Sequence, residues 1–272
     1  MVDIAVNLTS PAFDADREAV LARAEAAGVT SLIITGSDIT NSAAALDFAA
    51  HHSPCTATAG VHPHNASSWN AAMRTELHDM AAQAAPIGTI AAIGECGLDY
   101  NRNFSPPATQ RLCFEEQLAL AAQLGMPVFL HERDAFDDFY AILKHYCQNL
   151  PGAVVHCFTG TSAALEAYLA LDCYIGITGW ICDERRGSHL IPLLPHIPAN
   201  RLLLETDSPY LLPRNLPRSM IRSLGGKNNR NEPCFLPHIA AFAAEVLGKT
   251  PEQLAAETTA NAERLFQTII CQ

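Results

Sequence analysis

Short apolar runs alternate with longer segments of helical periodicity along the chain. A short apolar run that ends at glycine or at a polar residue is typical of a strand buried on both faces, whereas apolar residues at every third or fourth position indicate a helix. The predicted strands cover residues 2–8, 29–36, 56–63, 89–99, 126–133, 153–160, 173–180 and 201–209. The predicted helices cover residues 14–27, 41–52, 69–85, 108–124, 134–147, 186–194, 235–247 and 261–270. Two more helices are predicted by their first residues alone: one is capped by Ser162, and a short one begins at residue 250.

Eight strand–helix units predict a sheet of parallel strands joined by right-handed crossovers. Either a (β/α)8 TIM barrel or a doubly wound sheet has this alternation. No GxGxxG sequence follows the first strand, which removes the main support for a dinucleotide-binding sheet. The count of eight favours the barrel. Because the sequence has no linker and no low-complexity tract, we expect a single domain over residues 1–272.

Several predicted strands end in residues that can bind a metal ion. These strand ends carry Asn7, His62 and His64, Glu95, His131, His156 and Asp207. A single histidine at a strand end is usually a structural residue, and a single acid is usually a helix N-cap. In a barrel, however, the carboxyl ends of the strands meet at one mouth. Imidazole and carboxylate groups that converge there predict a site for zinc, manganese or magnesium, as in many hydrolases.

The chemistry of these groups suggests a role for each. We predict that His131 and His156 are neutral metal ligands and that Glu95 is an anionic ligand able to bridge two ions. None of the three lysines lies on a predicted strand, so a carboxylated lysine cannot supply that bridge. Asp207 is predicted to bind metal and to take the proton from an attacking water.

Other polar residues near the predicted mouth are candidates for substrate binding. His62 and His64 could position an oxyanion or donate a proton, although a rigid turn at Pro63 with exposed histidines is also a sufficient explanation. Arg133 and Arg230 are candidates for phosphate contacts because both lie in loops near the predicted mouth.

Nine cysteines occur without a CxxC pair, which is typical of free thiols in a reducing cytosol. Cys96 and Cys157 adjoin predicted ligands but should point to the opposite side of their strands, so we predict that both lie in the core. A Cys–His nucleophile is therefore not expected. The first residues show no signal-peptide pattern, and no apolar segment is long enough to span a bilayer. We expect a cytoplasmic protein that does not insert into membranes.

The net charge of −11 argues against non-specific binding of nucleic acid. Residues 210–231 nevertheless contain five basic residues and no acid. Two interpretations stay open for this stretch, a solvated loop and a local anion-binding rim.

Seven stretches, taken together, resemble the TatD family of metal-dependent deoxyribonucleases almost end to end. They are GVHPH at 60–64, IGECGLDY at 93–100, MPVFLHERDA at 126–135, VVHCFTG at 154–160, YIGITGW at 174–180, LLLETDSPYL at 202–211 and RNEP at 230–233. NLT near the start and CDERRG at 182–187 are similar to enterobacterial members. The resemblance implies an amidohydrolase-like barrel, a divalent-metal site that usually takes magnesium, and 3′-to-5′ exonuclease action on single-stranded DNA and RNA. By motif, it also implies that Glu95, His131, His156 and Asp207 are the metal and catalytic residues.

The sequence departs from the family at the end of the first strand. Most members carry a His-x-His pair there, and the matching residues here are Ala5 and Asn7. We therefore expect one or two ions, the second held loosely. Asn7 could offer a carbonyl oxygen, which is a ligand compatible with magnesium, and manganese or zinc could replace magnesium.

Two other functions stay open at this point. A small-molecule amidohydrolase or deaminase could use the same site, and a barrel without catalysis could act through partners. The basic stretch argues mildly against a neutral amide substrate. For the nuclease we expect a monomer whose partner is single-stranded DNA or RNA, with bases stacked on Phe104, Trp180 or Tyr210.

Overall fold

A computed structural model describes residues 1–223 and 230–267 of the chain. Eight parallel strands form one sheet in sequential order. They are β1 (Val2–Val6), β2 (Ser31–Ile34), β3 (Cys55–Ala59), β4 (Ile90–Asp99), β5 (Val128–Arg133), β6 (Ala153–Val155), β7 (Tyr174–Ile177) and β8 (Leu202–Leu204). Beyond β8 the chain returns to β1, where Val6 bridges Ser208 and the Asn7 amide donates to the Ser208 carbonyl at 2.8 Å. The sheet is thus a nearly closed barrel, and the predicted fold is confirmed.

Helices connect the strands and close the chain. Those in the described ranges are α1 (Arg17–Ala26), α2 (Ile39–His51), α3 (Ala71–Ala84), α4 (Pro107–Leu124), α5 (Phe136–Tyr146), α6 (Ser162–Ala170), α7 (Arg218–Ser223), α8 (Leu236–Leu247) and α9 (Pro251–Phe266). The predicted helix ends at Gly28 and Gly125 are confirmed, since both glycines have a left-handed backbone just after α1 and α4. The predicted capping box at Thr250 is also present.

Two apolar layers surround the strands. An inner cluster from alternate strand positions, such as Ile33 and Phe129, fills the barrel, and the end of α9 packs on it through Leu265 and Phe266. A larger layer lies between the strands and the helices. Every strand residue is buried except the last three of β5, His131–Arg133. Polar side chains can therefore reach solvent at the carboxyl ends of the strands, as expected for a barrel.

Some predicted elements are wrong. The helix predicted over 186–194 is replaced by two short 3₁₀ turns, Ser188–Leu190 and Leu194–His196. Pro192 and Pro195 explain this difference, because proline removes the amide that a helix interior needs. Thr161, and not Ser162, caps α6.

The C-terminal region also differs from the prediction. The helix predicted from residue 250 and the helix predicted over 261–270 are one continuous helix, α9, up to Phe266. The sequence between Glu252 and Phe266 contains no glycine or proline that could break it. Helix α7, in the loop after β8, was not predicted.

No helix in the described part of the chain is long and apolar enough to cross a membrane. The eight cysteines in the described ranges are free thiols, as predicted, and Cys271 lies outside those ranges.

Candidate metal centre

The position of Glu95 depends on the glycines beside it. Between β4 and β5 the pairing passes from Ile93–Val128 to Cys96–Leu130, so β4 contains one extra residue at this point. Gly94 (φ +140°) and Gly97 (φ +146°) adopt a backbone that other residues rarely adopt. A Cβ atom would lie 2.2 Å from the Phe129 carbonyl oxygen at Gly94 and 1.9 Å from that of His131 at Gly97. The glycines therefore let the bulged strand approach β5 closely, and the bulge directs the Glu95 side chain to His131.

Three imidazole rings surround one oxygen of the Glu95 carboxylate. His131 Nδ1 and His156 Nε2 each lie 2.8 Å from Glu95 Oε1. His62 Nε2 lies 3.4 Å from the same oxygen. We call these four residues the Glu95 cluster. Its members come from β4, β5 and the ends of β3 and β6, so the barrel geometry brings together residues far apart in sequence.

The charges in the Glu95 cluster depend on one another. Burial would raise the pKa of Glu95, but the neighbouring His62 and His156, together with hydrogen bonds from His131 and His156, hold it well below its usual range. Burial would lower the pKa of His156, but Glu95 and Glu205 raise it well above its usual value. Burial lowers the pKa of His62 to about 4, so this ring is neutral at pH 7. A buried carboxylate that attracts protons to its neighbours would attract a divalent cation for the same reason.

The donor atoms fit a metal ion. Single donor atoms of His62, Glu95 and His131 lie within 4.8 Å of one another, close enough for one cation to contact all three. Imidazole nitrogen and carboxylate oxygen suit zinc and manganese, and the carboxylate also suits magnesium. This part of the molecule can therefore hold a divalent cation.

Asp207 lines the same cavity as the Glu95 cluster. It follows β8 with a positive φ of 51°, and its amide donates to the Ala5 carbonyl at 2.9 Å. Asn7 Nδ2 donates to Asp207 Oδ1 at 2.9 Å. Burial raises the pKa of Asp207 to about 7, opposed by His156 and reinforced by Glu95. A carboxyl group with such a pKa can exchange a proton near neutral pH.

His64 is held by a carboxylate that also faces His131. His64 Nε2 lies 2.7 Å from Asp99 Oδ2, and His131 Nε2 lies 3.6 Å from the same oxygen. Burial would raise the pKa of Asp99, but His131 and His64 hold it well below its usual range. Asp99 is thus an anion whose hydrogen bond orients the ring of His64 in the wall of the cavity.

The cavity at the carboxyl ends of the strands has a volume of about 770 Å³. The Glu95 cluster lies in it, and three arginines, the rim arginines Arg102, Arg133 and Arg186, also line it. Among arginines whose side chains the structure describes, only these three and Arg218 make no hydrogen bond or ion pair through the guanidinium group. The cavity of an acidic protein is therefore bordered by cations without anionic partners.

Aromatic rings lie beside these arginines. Trp180 has the guanidinium carbon of Arg133 at 5.4 Å and that of Arg186 at 5.8 Å from its ring centre. Phe104 and Tyr210 line the cavity and are largely exposed, with 66% and 58% of their surface accessible. A rim of cations and exposed rings can contact both the phosphates and the bases of an unpaired strand.

The model of one family, described as TatD related DNase, matches residues 2–267. The chain belongs to the TatD-related DNase family. A 3′-5′ ssDNA/RNA exonuclease TatD of Cronobacter sakazakii is 53% identical over 267 residues, which are 98% of this chain and 97% of that protein. The protein of the same name from Edwardsiella piscicida is 54% identical over 268 residues, with 98% and 99% covered.

Two solved structures, one of a TatD homologue and one of a more distant protein, have the same architecture. A TatD homologue from Escherichia coli superposes with a TM-score of 0.87 at 28% identity and covers 98% of each chain. The phosphotriesterase homology protein of Escherichia coli, complexed with phosphate in its active site, superposes with a TM-score of 0.61 at 14% identity, with 98% and 96% covered. At that identity, the second likeness shows the shared barrel fold alone.

The structure brings together most residues singled out in this TatD-related sequence. The cavity is lined by Glu95, His131, His156, Asp207, His62, His64 and Arg133. Among them, His62 lies closer to the predicted ligands than expected for a substrate-binding residue, because it faces Glu95 directly.

Arg230 is the exception. Its guanidinium group donates to Asp16 at 2.8 and 2.9 Å and to Glu232 at 2.6 Å, and it does not line the cavity. Its two carboxylate partners occupy the donors that a phosphate would need, so the prediction of a substrate contact is withdrawn. The motif at 230–233 instead links the loop after β8 to α1, because Glu232 forms an ion pair with Arg23.

Cys157 also differs from the prediction. Cys96 is fully buried in the core, but Cys157 is partly exposed and lines the cavity. A positive φ of 46° at Cys157 ends the alternation of the strand, which explains the altered direction of its side chain. Burial, with Asp207 and Glu205 nearby, raises the pKa of the Cys157 thiol well above its usual value, so the thiol is neutral.

Three charged residues that line the cavity, Asp99, Arg102 and Arg186, are not among the predicted site residues. Asp99 had a usable signal, because Glu95, Gly97 and Asp99 alternate along β4 and share one face of the strand. The two arginines had no such signal, since loop arginines are common on any surface. Among the described residues of the basic stretch 210–231, only Tyr210 and Leu211 line the cavity, and Arg214 lies 3.7 Å from Asp183. The Lys227 of that stretch lies outside the described residues, as does the Arg222 side chain.

Proposed function

We propose that this protein is a divalent-metal-dependent 3′-to-5′ exonuclease that hydrolyses single-stranded DNA and RNA. One observation carries the proposal: a buried carboxylate ringed by imidazoles shares one cavity with the rim arginines, which have no anionic partner. In phosphodiester hydrolysis, a metal ion and cationic side chains can both stabilise the negative charge on the phosphate. Relatives more than 50% identical to the chain are named 3′-5′ ssDNA/RNA exonuclease TatD, which supports the polarity and the substrate.

We propose that Glu95, His131, His156 and Asp207 hold the ion, and that His62 joins them. When bound, a divalent cation neutralises phosphate charge and lowers the pKa of water. Magnesium is the ion that the family resemblance implies, with manganese or zinc as alternatives. Because the cluster is rich in imidazole, manganese or zinc should bind more tightly than magnesium. Asn7 is the candidate oxygen ligand of a second, weaker ion, if two are bound.

The protein's own groups then have distinct tasks. Asp207 accepts the proton of the attacking water, because its carboxylate lines the cavity beside the residues that would hold the ion. Arg133 and Arg186 bind the phosphate and keep the strand in place. His64, held by Asp99, is a candidate substrate contact. The exposed rings of Phe104 and Tyr210 stack on unpaired bases, which favours single strands over duplexes.

The setting of the enzyme is part of the proposal. We propose a cytoplasmic monomer that consists of a single domain. One eight-stranded sheet runs through the described chain, which supports the single domain. The rim arginines disfavour the alternative of an amidohydrolase or deaminase, because a neutral small molecule would leave those cations without a partner.

The test is an assay with a 5′-labelled single-stranded oligonucleotide and either Mn²⁺ or Mg²⁺. We expect products that shorten from the 3′ end and no cleavage in EDTA. Glu95→Gln should lower kcat/KM by roughly 1,000-fold, or about 4 kcal/mol of transition-state stabilisation. Glu132→Gln, at the neighbouring strand end, is the matched control and should retain activity, because the Glu132 side chain hydrogen-bonds to Ala135 and Tyr168 and does not line the cavity of the Glu95 cluster. Equal activity in wild type and Glu95→Gln, or faster turnover of a neutral amide than of DNA, would exclude the proposal.

A further inference from the structure

Glu205 is a fully buried carboxylate behind His156 that the proposed chemistry does not use. We propose that Glu205 is a positioning residue that fixes the ring of His156 with its proton on Nδ1, so that Nε2 is free to bind the metal ion. This inference rests on the metal centre proposed above, and it adds a residue that touches neither the ion nor the substrate.

The two oxygens of Glu205 have different neighbours. Oε1 accepts a short hydrogen bond from the amide of Cys157, the residue after His156. Oε2 lies 3.4 Å from His156 Nδ1. Both Oε2 and Nδ1 are buried without a hydrogen-bond partner. Buried polar atoms rarely lack a hydrogen-bond partner, and here each of the two atoms can be the partner that the other lacks.

The chemistry of the pair determines which nitrogen carries the proton. A carboxylate can only accept a hydrogen bond, so the facing Nδ1 of His156 must be the donor. A neutral imidazole with its proton on Nδ1 has its lone pair on Nε2. Nε2 is the nitrogen that points into the Glu95 cluster, 2.8 Å from Glu95 Oε1, so without an ion it donates a proton to that carboxylate. A bound cation would replace the proton on Nε2, whereas Glu205 keeps the proton on Nδ1. Glu205 therefore presents the lone pair of His156 to the metal centre, as outer carboxylates do for other metal-bound histidines.

The surrounding backbone is shaped to admit this carboxylate. At Gly176, on β7, a Cβ atom would lie 2.8 Å from Glu205 Oε1 and 3.1 Å from the Cα of His156. The absence of a side chain at Gly176 thus leaves room for Glu205 to reach β6 from the end of β8. The bond to the Cys157 amide also holds the turn at which φ becomes positive. Glu205 consequently fixes both the ring of His156 and the backbone that carries it.

The test replaces the carboxylate by its neutral isostere. In Glu205→Gln, the amide oxygen can keep the bond to Cys157, but the amide nitrogen then faces His156 Nδ1 and donates to it. The proton of His156 moves to Nε2, where it blocks the ion. We expect the variant to bind Mn²⁺ roughly 10- to 100-fold more weakly than wild type in titration calorimetry. Glu132→Gln is the control, because Glu132 also accepts from a backbone amide at a strand end but contacts no histidine. It should bind Mn²⁺ as wild type does.

Nitrogen NMR of the histidine rings gives a readout independent of catalysis. We expect His156 of wild type with Mg²⁺ to be protonated at Nδ1, and the proton to move to Nε2 in Glu205→Gln. If the variant fails to fold, the wild-type spectrum alone decides, and an unprotonated Nδ1 would overturn the inference. Equal Mn²⁺ affinity in wild type and a folded Glu205→Gln would overturn it too, while leaving the proposed function intact. A wild-type protein that binds no Mn²⁺ would remove the proposed metal centre and this role together.

Discussion

Arg23, in helix α1, and Arg230, beside that helix, form one pair of arginines, and Arg133 and Arg186 at the mouth of the cavity form another. The two pairs differ in what surrounds the guanidinium group. Beside α1, both arginines bind Asp16 and Glu232, and the Glu232 side chain is fully buried. At the mouth, neither guanidinium group forms an ion pair with a described residue, and both lie over the ring of Trp180. The same side chain therefore stabilises the fold in one region and is free to bind an anion in the other.

Carboxylates show the same contrast. Hydrogen bonds from Arg230 lower the pKa of Asp16 to about 2, against the effect of burial. In the cavity, Asp207 has no arginine beside it, and burial raises its pKa to about 7. Charged groups with ion-pair partners thus stabilise the fold, whereas charged groups without such partners are available for binding and catalysis. Three measurements test this difference between the two regions.

The largest effect should follow from Arg230→Met. The change leaves the buried Glu232 with Arg23 as its remaining cation, so we expect the free energy of unfolding to fall by about 3 kcal/mol. Urea denaturation measures this loss. Arg111→Met, which removes a surface pair with Asp138, is the control and should cost less than about 1 kcal/mol. If Arg230→Met were as stable as wild type but failed to bind DNA, the two regions would not differ as described.

The double change Arg133→Met and Arg186→Met should have the opposite profile. We expect stability close to wild type and binding of single-stranded DNA weakened by roughly 10- to 100-fold, because two phosphate contacts are lost. The slope of log affinity against log salt should also fall by about 1.4, or about 0.7 for each contact. Fluorescence anisotropy in a Glu95→Gln background measures binding without cleavage. Arg218→Met is the matched control, since Arg218 also lacks an ion-pair partner but does not line the cavity. An equal loss of affinity in that variant would show that Arg133 and Arg186 do not bind the DNA specifically.

The smallest effect concerns acid stability. Because the pKa of Asp16 is about 2 in the folded protein and about 4 when unfolded, its contribution is complete above pH 4 and is lost as the pH falls through 2. In Arg230→Met the folded pKa should return toward 4, so the decline between pH 4 and pH 2 should be shallower than in wild type. Solvent screening keeps the difference below about 1 kcal/mol. Denaturation at pH 5 and pH 3 compares the two proteins, and a steeper decline in the variant would contradict the sign.

The fold could be predicted because apolar runs, glycines and caps report local structure. The alternation of strands and helices follows from the pattern of buried positions. Gly28 and Gly125 end helices because glycine readily adopts a left-handed backbone, and Thr250 begins a helix because its side chain caps the first turn. Where proline interrupts an apolar segment, as at Pro192 and Pro195, periodicity alone overestimated the helix.

The candidate site could be predicted in part, for a related reason. Residues at strand ends must meet in a barrel, so the convergence of Glu95 with His131 and His156 follows from the strand pattern. Ion pairs between distant segments leave no such pattern. Nothing in the sequence around Arg230 shows that Asp16, 214 residues away, binds it, and nothing around Arg186 shows that no acid does. The partners of loop arginines are set by tertiary packing and had to be seen in the structure.

A crystal structure with Mn²⁺ and a short phosphorothioate oligonucleotide, which resists hydrolysis, would locate both the ion and the 3′ end of the strand. We predict an anomalous peak between Glu95, His131 and His156, with the 3′-terminal phosphodiester beside it and Arg133 or Arg186 in contact with phosphate. A peak at another place, or an oligonucleotide whose 5′ end enters the cavity, would contradict it.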